Sequence, residues 1–299
     1  MGFSILTDTC CNLPTELVEA YDLSMMPLRY LIDGKEYASF TDGVQADFAS
    51  FYGQLRAGKV ATTSLADPIE AKRMARELLE AGNDVLYIGF SSGLSGTYEV
   101  VSRALGELAA DYPERKLLCV DSLAASAGQG LLITYVARMR EQGHSIEECY
   151  AWAVEHRLNI CHWFTVDDLM FLKRGGRVSA VSAVFGTALA IKPVMHVDEE
   201  GKLKVVSKER GRKKAIMALA KKFSECVPCE PLAQRPVYIS HGDCYDDAKL
   251  LADTIMERCS SPADPMPYPV ITYVDPVIGA HSGPGTLALF YYDAEASHR

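Results

Sequence analysis

A chain of 299 residues, 48% hydrophobic and 23% charged, can bury more than one ordinary hydrophobic nucleus, and two domains are expected. Its formal charge of -9 disfavours a polyanionic partner, because phosphate contacts need clustered cations, and no nucleic acid is expected. No run of about 18 apolar residues occurs, the N-terminus lacks the charged lead of a secretory signal, and the nine cysteines are scattered, so a reduced, cytoplasmic chain without stable membrane insertion is expected.

Phe3–Leu6 reads as a strand, Thr7–Pro14 as a polar turn with Asn12 as a helix cap, and the stretch to Tyr21 as an amphipathic helix. Thr62-Thr63-Ser64 then precedes a helix expected over residues 70–81. The strand–turn–helix order returns at Val85–Phe90, Ser91–Thr97 and a helix through Leu108. It returns again at Leu117–Val120, Asp121-Ser122 and a helix from about Ser126 to Gln142. Strands alternating with helices imply right-handed crossovers and a parallel sheet covered on both faces. Residues 1–160 therefore read as a doubly wound parallel α/β domain. Its ligand crevice would lie beyond the strand ends that carry Asp8, Thr9, Ser91, Ser92, Ser95, Asp121 and Ser122.

Residues 161–299 read as a second, mixed-sheet α/β domain. Trp163–Val166 is strand-like, Asp168–Arg174 helical, Val194–Val206 a hairpin turning at Glu200-Gly201, and Lys213–Cys226 an amphipathic helix. Val237–Ser240, Val270–Val274 and Thr286–Tyr292 complete the strands, and Gly279–Gly285 reads as a glycine and proline turn between two of them.

Six segments could carry a ligand or chemistry. Thr62, Thr63 and Ser64 stand before a helix whose free N–H groups favour an anion, although Asp67 could equally cap that helix. Gly93-Leu94-Ser95-Gly96-Thr97 resembles a nucleophile elbow, but Thr97 occupies the place of the last glycine, and neither a P-loop nor a dinucleotide loop is present. What survives is a hydroxyl-lined turn opening onto a helix, suited to a carboxylate or phosphate, or a plain structural turn. Arg174 and Arg177 flank Gly175-Gly176 and offer forks that match carboxylate and phosphate, or simply form a solvated turn. His281 sits among glycines, a poor place for a packing histidine; the other histidines make no metal spacing. Val178–Val194 is apolar and rich in small side chains, leaving room for a tail or allowing close helix packing. Cys226 and Cys229 have a redox spacing but follow a Lys-rich helix in what reads as a linker.

Taken in order, these pieces resemble the DegV family of bacterial fatty-acid-binding proteins. The likeness runs through Thr7-Asp8, Pro27-Leu28, Thr63-Ser64, Ser91–Tyr98, Val120-Asp121-Ser122 with Ser126, Gly128 and Gly130, Leu172–Ser179, Ile191-Lys192-Pro193 and Gly279–Gly285. It departs from the family at Thr63-Ser64-Leu65-Ala66, usually Thr-Ser-Gln-Pro, and at Cys10-Cys11-Asn12. The resemblance implies a long-chain fatty acid such as palmitate, its carboxylate between the domains at Thr63 and Ser95 with His281, Thr62 and Gly96 beside them, and its tail buried. It implies no cofactor, no metal and no chemistry by this chain alone. It also implies a separate fatty acid kinase that phosphorylates the bound acid and is faced by Arg174 and Arg177. The rival expectation is a phosphotransferase or hydrolase with Ser95 as nucleophile and His281 as base. A third is a redox or interaction module on Cys226 and Cys229.

Overall fold

The structure is a computed structural model that describes residues 2–41, 44–177, 191–226 and 231–295. β1 (Phe3–Asp8), α1 (Thr15–Ala20) and β2 (Leu23–Met26) open the first sheet. An excursion of β3 (Arg29–Ile32), β4 (Lys35–Ala38), β5 (Phe40–Thr41), β6 (Val44–Gln45), α2 (Phe48–Arg56) and β7 (Ala61–Thr63) follows. Alternation resumes with α3 (Pro68–Glu80), β8 (Asp84–Gly89), α4 (Thr97–Ala109), β9 (Leu117–Asp121), α5 (Ala127–Glu141) and α6 (Ile146–His156). The sheet runs β2-β1-β8-β9 with every pairing parallel. α3 and α4 cover one face and α5 and α6 the other, so the doubly wound parallel sheet expected from the alternation is present.

The remaining elements are β10 (Ile160–Thr165), α7 (Leu169–Arg174), β11 (Ile191–Val197), β12 (Leu203–Arg210), α8 (Arg212–Ser224), β13 (Tyr238–His241), α9 (Tyr245–Cys259), β14 (Val270–Tyr273), α10 (Pro276–Ser282) and β15 (Leu287–Tyr292). They build a mixed sheet in the order β12-β11-β10-β15-β13-β14, antiparallel except for the parallel pair β13–β14. α8 and α9 lie on one face, and the other face rests on α5.

α5 is thus shared by both sheets. Its residues Ala127 to Thr134, with Val136 and Ala137, are all buried, which is why its sequence is apolar around the whole helix rather than along one stripe. Two glycines permit the approach. A Cβ on Gly128 would stand 2.2 Å from His162 Nε2 of the mixed sheet, and one on Gly130 would stand 2.5 Å from the Cys11 carbonyl beneath the parallel sheet. One apolar core consequently runs from Ile5 and Ile88 through Leu131 and Leu132 to Phe164 and Phe290.

Three local expectations are corrected. Asn12 does not cap α1, because it takes the left-handed conformation (φ 51°) and ends a short turn over Thr9–Cys11; Pro14 stands at the cap. His281 lies in the last turn of α10, not in a loop: Asp275 accepts a hydrogen bond from the Val277 amide at 2.7 Å and Pro276 occupies the first turn, two start signals that outweigh Gly279. Ile191–Val194, read as the end of a small-residue helix, opens β11; residues 178–190 of that segment lie outside the described residues, as does Cys229.

Candidate functional site

A cavity with about 900 Å³ of atom-free space, mouth included, opens where the carboxyl ends of the parallel strands meet the mixed sheet. Strand alternation builds its walls. On β10 and β15 the inward residues are His162, Phe164, Ala288 and Phe290, with Phe164 opposite Ala288 and His162 opposite Phe290 in register. α10 contributes Val277, Ile278, His281 and Ser282, at a spacing that places them on one helix face. Phe90, Leu94, Leu172, Val197 and Leu203 add apolar surface. No acidic side chain lines the cavity among the described residues, although the chain as a whole is acidic.

The inner floor is polar beneath an apolar skin. Ser126 precedes α5 with φ 57° and ψ -147°, a conformation that L-residues rarely adopt, and its hydroxyl lies 2.6 Å from Asn12 Oδ1 and 2.8 Å from Ser240 Oγ. Below it, the Asp8 carboxylate accepts from the amides of Cys10 and Phe90, each at 3.1 Å, and from Gln129 at 3.2 Å. Burial nevertheless pushes Asp8 up to about 6 and Asp275 up to about 7. The Cys10 thiol, raised by burial and by both carboxylates, is no nucleophile.

At the mouth, β7 and α10 bring two distant segments together: Thr63 Oγ1 lies 2.9 Å from His281 Nε2. Burial first, and the Arg177 guanidinium second, push His281 down to about 4, so the imidazole is neutral near pH 7. With the proton on Nε2, His281 donates to Thr63, and the threonine hydroxyl is free to donate to an anion. Ser95 lines the same mouth at the start of α4; its hydroxyl donates to Thr97 Oγ1 at 3.1 Å and accepts from the Thr97 amide at 3.2 Å. Gly96 is the N-cap of that helix and makes no side-chain cap, leaving the positive end of a 13-residue helix beside the mouth. Because the folded His281 lies below its free value of 6.5, its contribution to stability is intact above about 6.5 and is lost as pH falls toward about 4. A proton NMR titration of the ligand-free chain should place the His281 midpoint near 4; a midpoint at the ordinary value would mean that solvent reaches the ring.

The two arginines part company. Arg174 is exposed and stacks over Phe171, 4.6 Å from the ring centre. Arg177 is half-buried, donates to the Leu94 carbonyl at 3.2 Å and lines both the cavity and a second, outer cleft. Thr62 points the other way from Thr63, as alternate residues of a strand must, and borders the outer cleft with Arg174, Gly175, Arg177 and His281. Asp67 does cap α3, accepting from the Ile69 amide at 2.8 Å, as the capping reading of that segment expects.

Several hydroxyls expected at the crevice are occupied by the scaffold. Ser91 donates to the Gly201 carbonyl at 2.8 Å, and Asp121 accepts from the amides of Ser92 and Leu123, each at 3.1 Å. The enzyme alternative finds no geometry: Ser95 bonds to Thr97 rather than to His281, and His281 Nδ1 faces the backbone of Gly175 rather than a carboxylate. Cys226 follows α8, accepts from Arg235 at 2.7 Å, and is raised by burial, the opposite of a redox thiolate. His162 and Ser282, both in the cavity wall, carried no sequence signal: one is a histidine in an apolar strand, the other a serine in a glycine-rich run.

Comparison with known proteins follows the same lines. Residues 2–294 match the family model described as uncharacterised protein, DegV family. A DegV domain-containing protein of Clostridium perfringens is 39% identical over 293 residues, covering 97% of each chain. Among solved structures, a DegV family protein of Thermus thermophilus, described as binding fatty acid, superposes with a TM-score of 0.84 at 28% identity, covering 98% of this chain and 100% of the other. A DegV lipid binding protein of Thermotoga maritima gives 0.84 at 28% identity, covering 98% and 99%. With its parallel sheet, its mixed sheet and this breadth of match, the chain belongs to the DegV family.

Proposed function

We propose that this protein holds one long-chain fatty acid, with its carboxylate at Thr63, Ser95 and His281 and its acyl tail in the cavity. The observation that carries the reading is a largely apolar cavity whose lining includes the Thr63 and Ser95 hydroxyls, the His281 imidazole and the Arg177 guanidinium, with no acidic side chain among the described lining residues. Relatives described as fatty-acid-binding share the fold across nearly the whole chain. Burying the tail of palmitate at about 0.8 kcal/mol per methylene offers on the order of 12 kcal/mol before the costs of association, so the tail supplies affinity and the hydroxyls supply orientation. Native mass spectrometry of gently purified protein should reveal a bound acyl chain; a chain that is empty and also refuses added palmitate or oleate refutes the proposal.

Thr63→Ala or Ser95→Ala is expected to weaken binding of the carboxylate by about 1 to 3 kcal/mol, read by displacement titration. Unchanged affinity in both variants removes these hydroxyls from the head-group site. The exposed Arg174 and the outer cleft beside His281 support a further step, presentation of the bound acid to a separate fatty acid kinase that forms an acyl phosphate. Arg174→Ala should then slow acyl phosphate formation in the presence of such a kinase while leaving fatty acid affinity unchanged.

A further inference from the structure

Gly175 is a glycine with no backbone need to be one. It ends α7 at φ -70° and ψ -11°, an ordinary right-handed conformation that alanine adopts at less cost, and its amide donates to the Phe171 carbonyl at 3.0 Å. The reason for the missing side chain lies on α10. A Cβ at residue 175 would stand 2.4 Å from His281 Nδ1, 3.1 Å from its Cγ and 3.2 Å from its Cβ, so the imidazole occupies the space that a methyl would take. The contact is reciprocal: Gly283, which ends α10, receives Phe171 of α7, and a Cβ there would stand 2.5 Å from the Phe171 ring. The Arg177 guanidinium pins the first notch, donating to the Gly175 carbonyl at 2.5 Å and to the Leu94 carbonyl at 3.2 Å.

A methyl in that notch leaves His281 no harmless escape. Turning the ring over about χ2 puts Cδ2 where Nδ1 was, still against the methyl, and carries Nε2 away from Thr63, which lies 2.9 Å off in the native arrangement. Swinging the ring about χ1 relieves the shortest contact but also takes Nε2 from Thr63. Backing α7 off lifts Phe171 out of its notch, breaks the Arg177 tie and draws Leu172 from the cavity wall. Movement of the ring is the cheapest relief, at the expense of the head-group contact.

We propose that Gly175 is a positioning residue for the head group: its bare α-carbon seats the His281 imidazole so that Nε2 meets Thr63, and the paired notches of α7 and α10 hold that arrangement. The proposal rests on the fatty-acid reading above and extends its site to a residue that acts only through His281.

The test uses the full chain stripped of lipid, with a fluorescent fatty acid displaced by palmitate and by hexadecanol, which shares the tail and lacks the carboxylate. Gly175→Ala is expected to weaken palmitate about five- to tenfold and hexadecanol by less than about twofold. In the same variant the His281 titration midpoint should move up from about 4 toward 6.5 as the ring leaves its buried seat. In a His281→Ala background, where the notch is vacant, the same methyl should cost palmitate nothing further. Equal losses for acid and alcohol, an unchanged palmitate affinity, or losses that add in the double variant overturn the proposal while fatty acid binding stands. Should Gly175→Ala fold poorly, melting temperatures decide: a double variant that melts with His281→Ala supports the seat, and one that melts as low as Gly175→Ala overturns it. A native protein that binds palmitate no better than hexadecanol removes the head-group reading and this proposal with it.

Discussion

Ala288→Phe is expected to abolish palmitate binding, with a loss of at least about a hundredfold, while the melting temperature stays level or rises. Ala288 stands on β15 opposite Phe164, and its small side chain lines the cavity. A phenylalanine there fills the space that the tail would occupy. Displacing even three or four methylenes at about 0.8 kcal/mol each accounts for a loss of that size. Overpacking ordinarily costs about 1–3 kcal/mol, but that cost arises where no void exists to receive the new atoms. Displacement titration and a thermal melt of the same preparation decide the point. A variant that still binds palmitate within about tenfold of the native protein would show that the tail lies elsewhere.

Gly93→Ala is expected to be the most damaging single methyl at the rim of the site, lowering stability by about 1–3 kcal/mol and speeding release of the bound acid. The turn between β11 and β12 rests on the turn between β8 and α4, and the two are joined by the bond from Ser91 to the Gly201 carbonyl. A Cβ at residue 93 would stand 2.3 Å from the Glu200 carbonyl oxygen and 2.8 Å from the Gly201 carbonyl carbon, both backbone atoms that cannot step aside alone. The hairpin must lift, and Val197 and Leu203, which close the cavity beneath it, lift with it. Gly96→Ala is the control: its Cβ would meet Leu65 at 3.6 Å, an ordinary contact, so the variant should lose no more than a helix N-cap preference and melt closer to the native protein than Gly93→Ala does. At roughly 2–4 °C per kcal/mol for a chain of this size, the difference between the two variants is readily measured. Equal melting of both would mean that the hairpin does not bear on the turn.

The alternation of strand, hydroxyl-bearing turn and helix made the parallel sheet legible before any coordinates, and Glu200-Gly201 marked the hairpin that the structure turns at Asp198–Lys202. Thr63 and His281 were both singled out in the chain, and their 2.9 Å contact across 218 positions is a property of the fold that no spacing displays. Thr62 illustrates a finer limit: it is chemically the twin of Thr63, and only the fold shows that Thr63 lines both the cavity and the outer cleft whereas Thr62 lines the outer cleft alone. The helix around His281 was hidden by its brevity, by Gly279 in its middle and by Gly283 at its end, although Asp275-Pro276 announced its start. Ser91, Asp121 and Ser122 show the converse. Hydroxyls and carboxylates at strand ends look available in sequence, yet here Ser91 and Asp121 tie neighbouring turns together and Ser122 accepts from the Ala124 amide within its own turn.

A helix wedged between two sheets also governs how a guest can come and go. Prising the halves apart would bare Leu131, Leu132, Ile133 and their partners to water on both sides at once, so the molecule has no inexpensive jaw-like opening. Traffic is thereby expected to use small, partly exposed pieces such as α7, and exchange should leave amide-hydrogen protection along α5 untouched while it flickers at the rim.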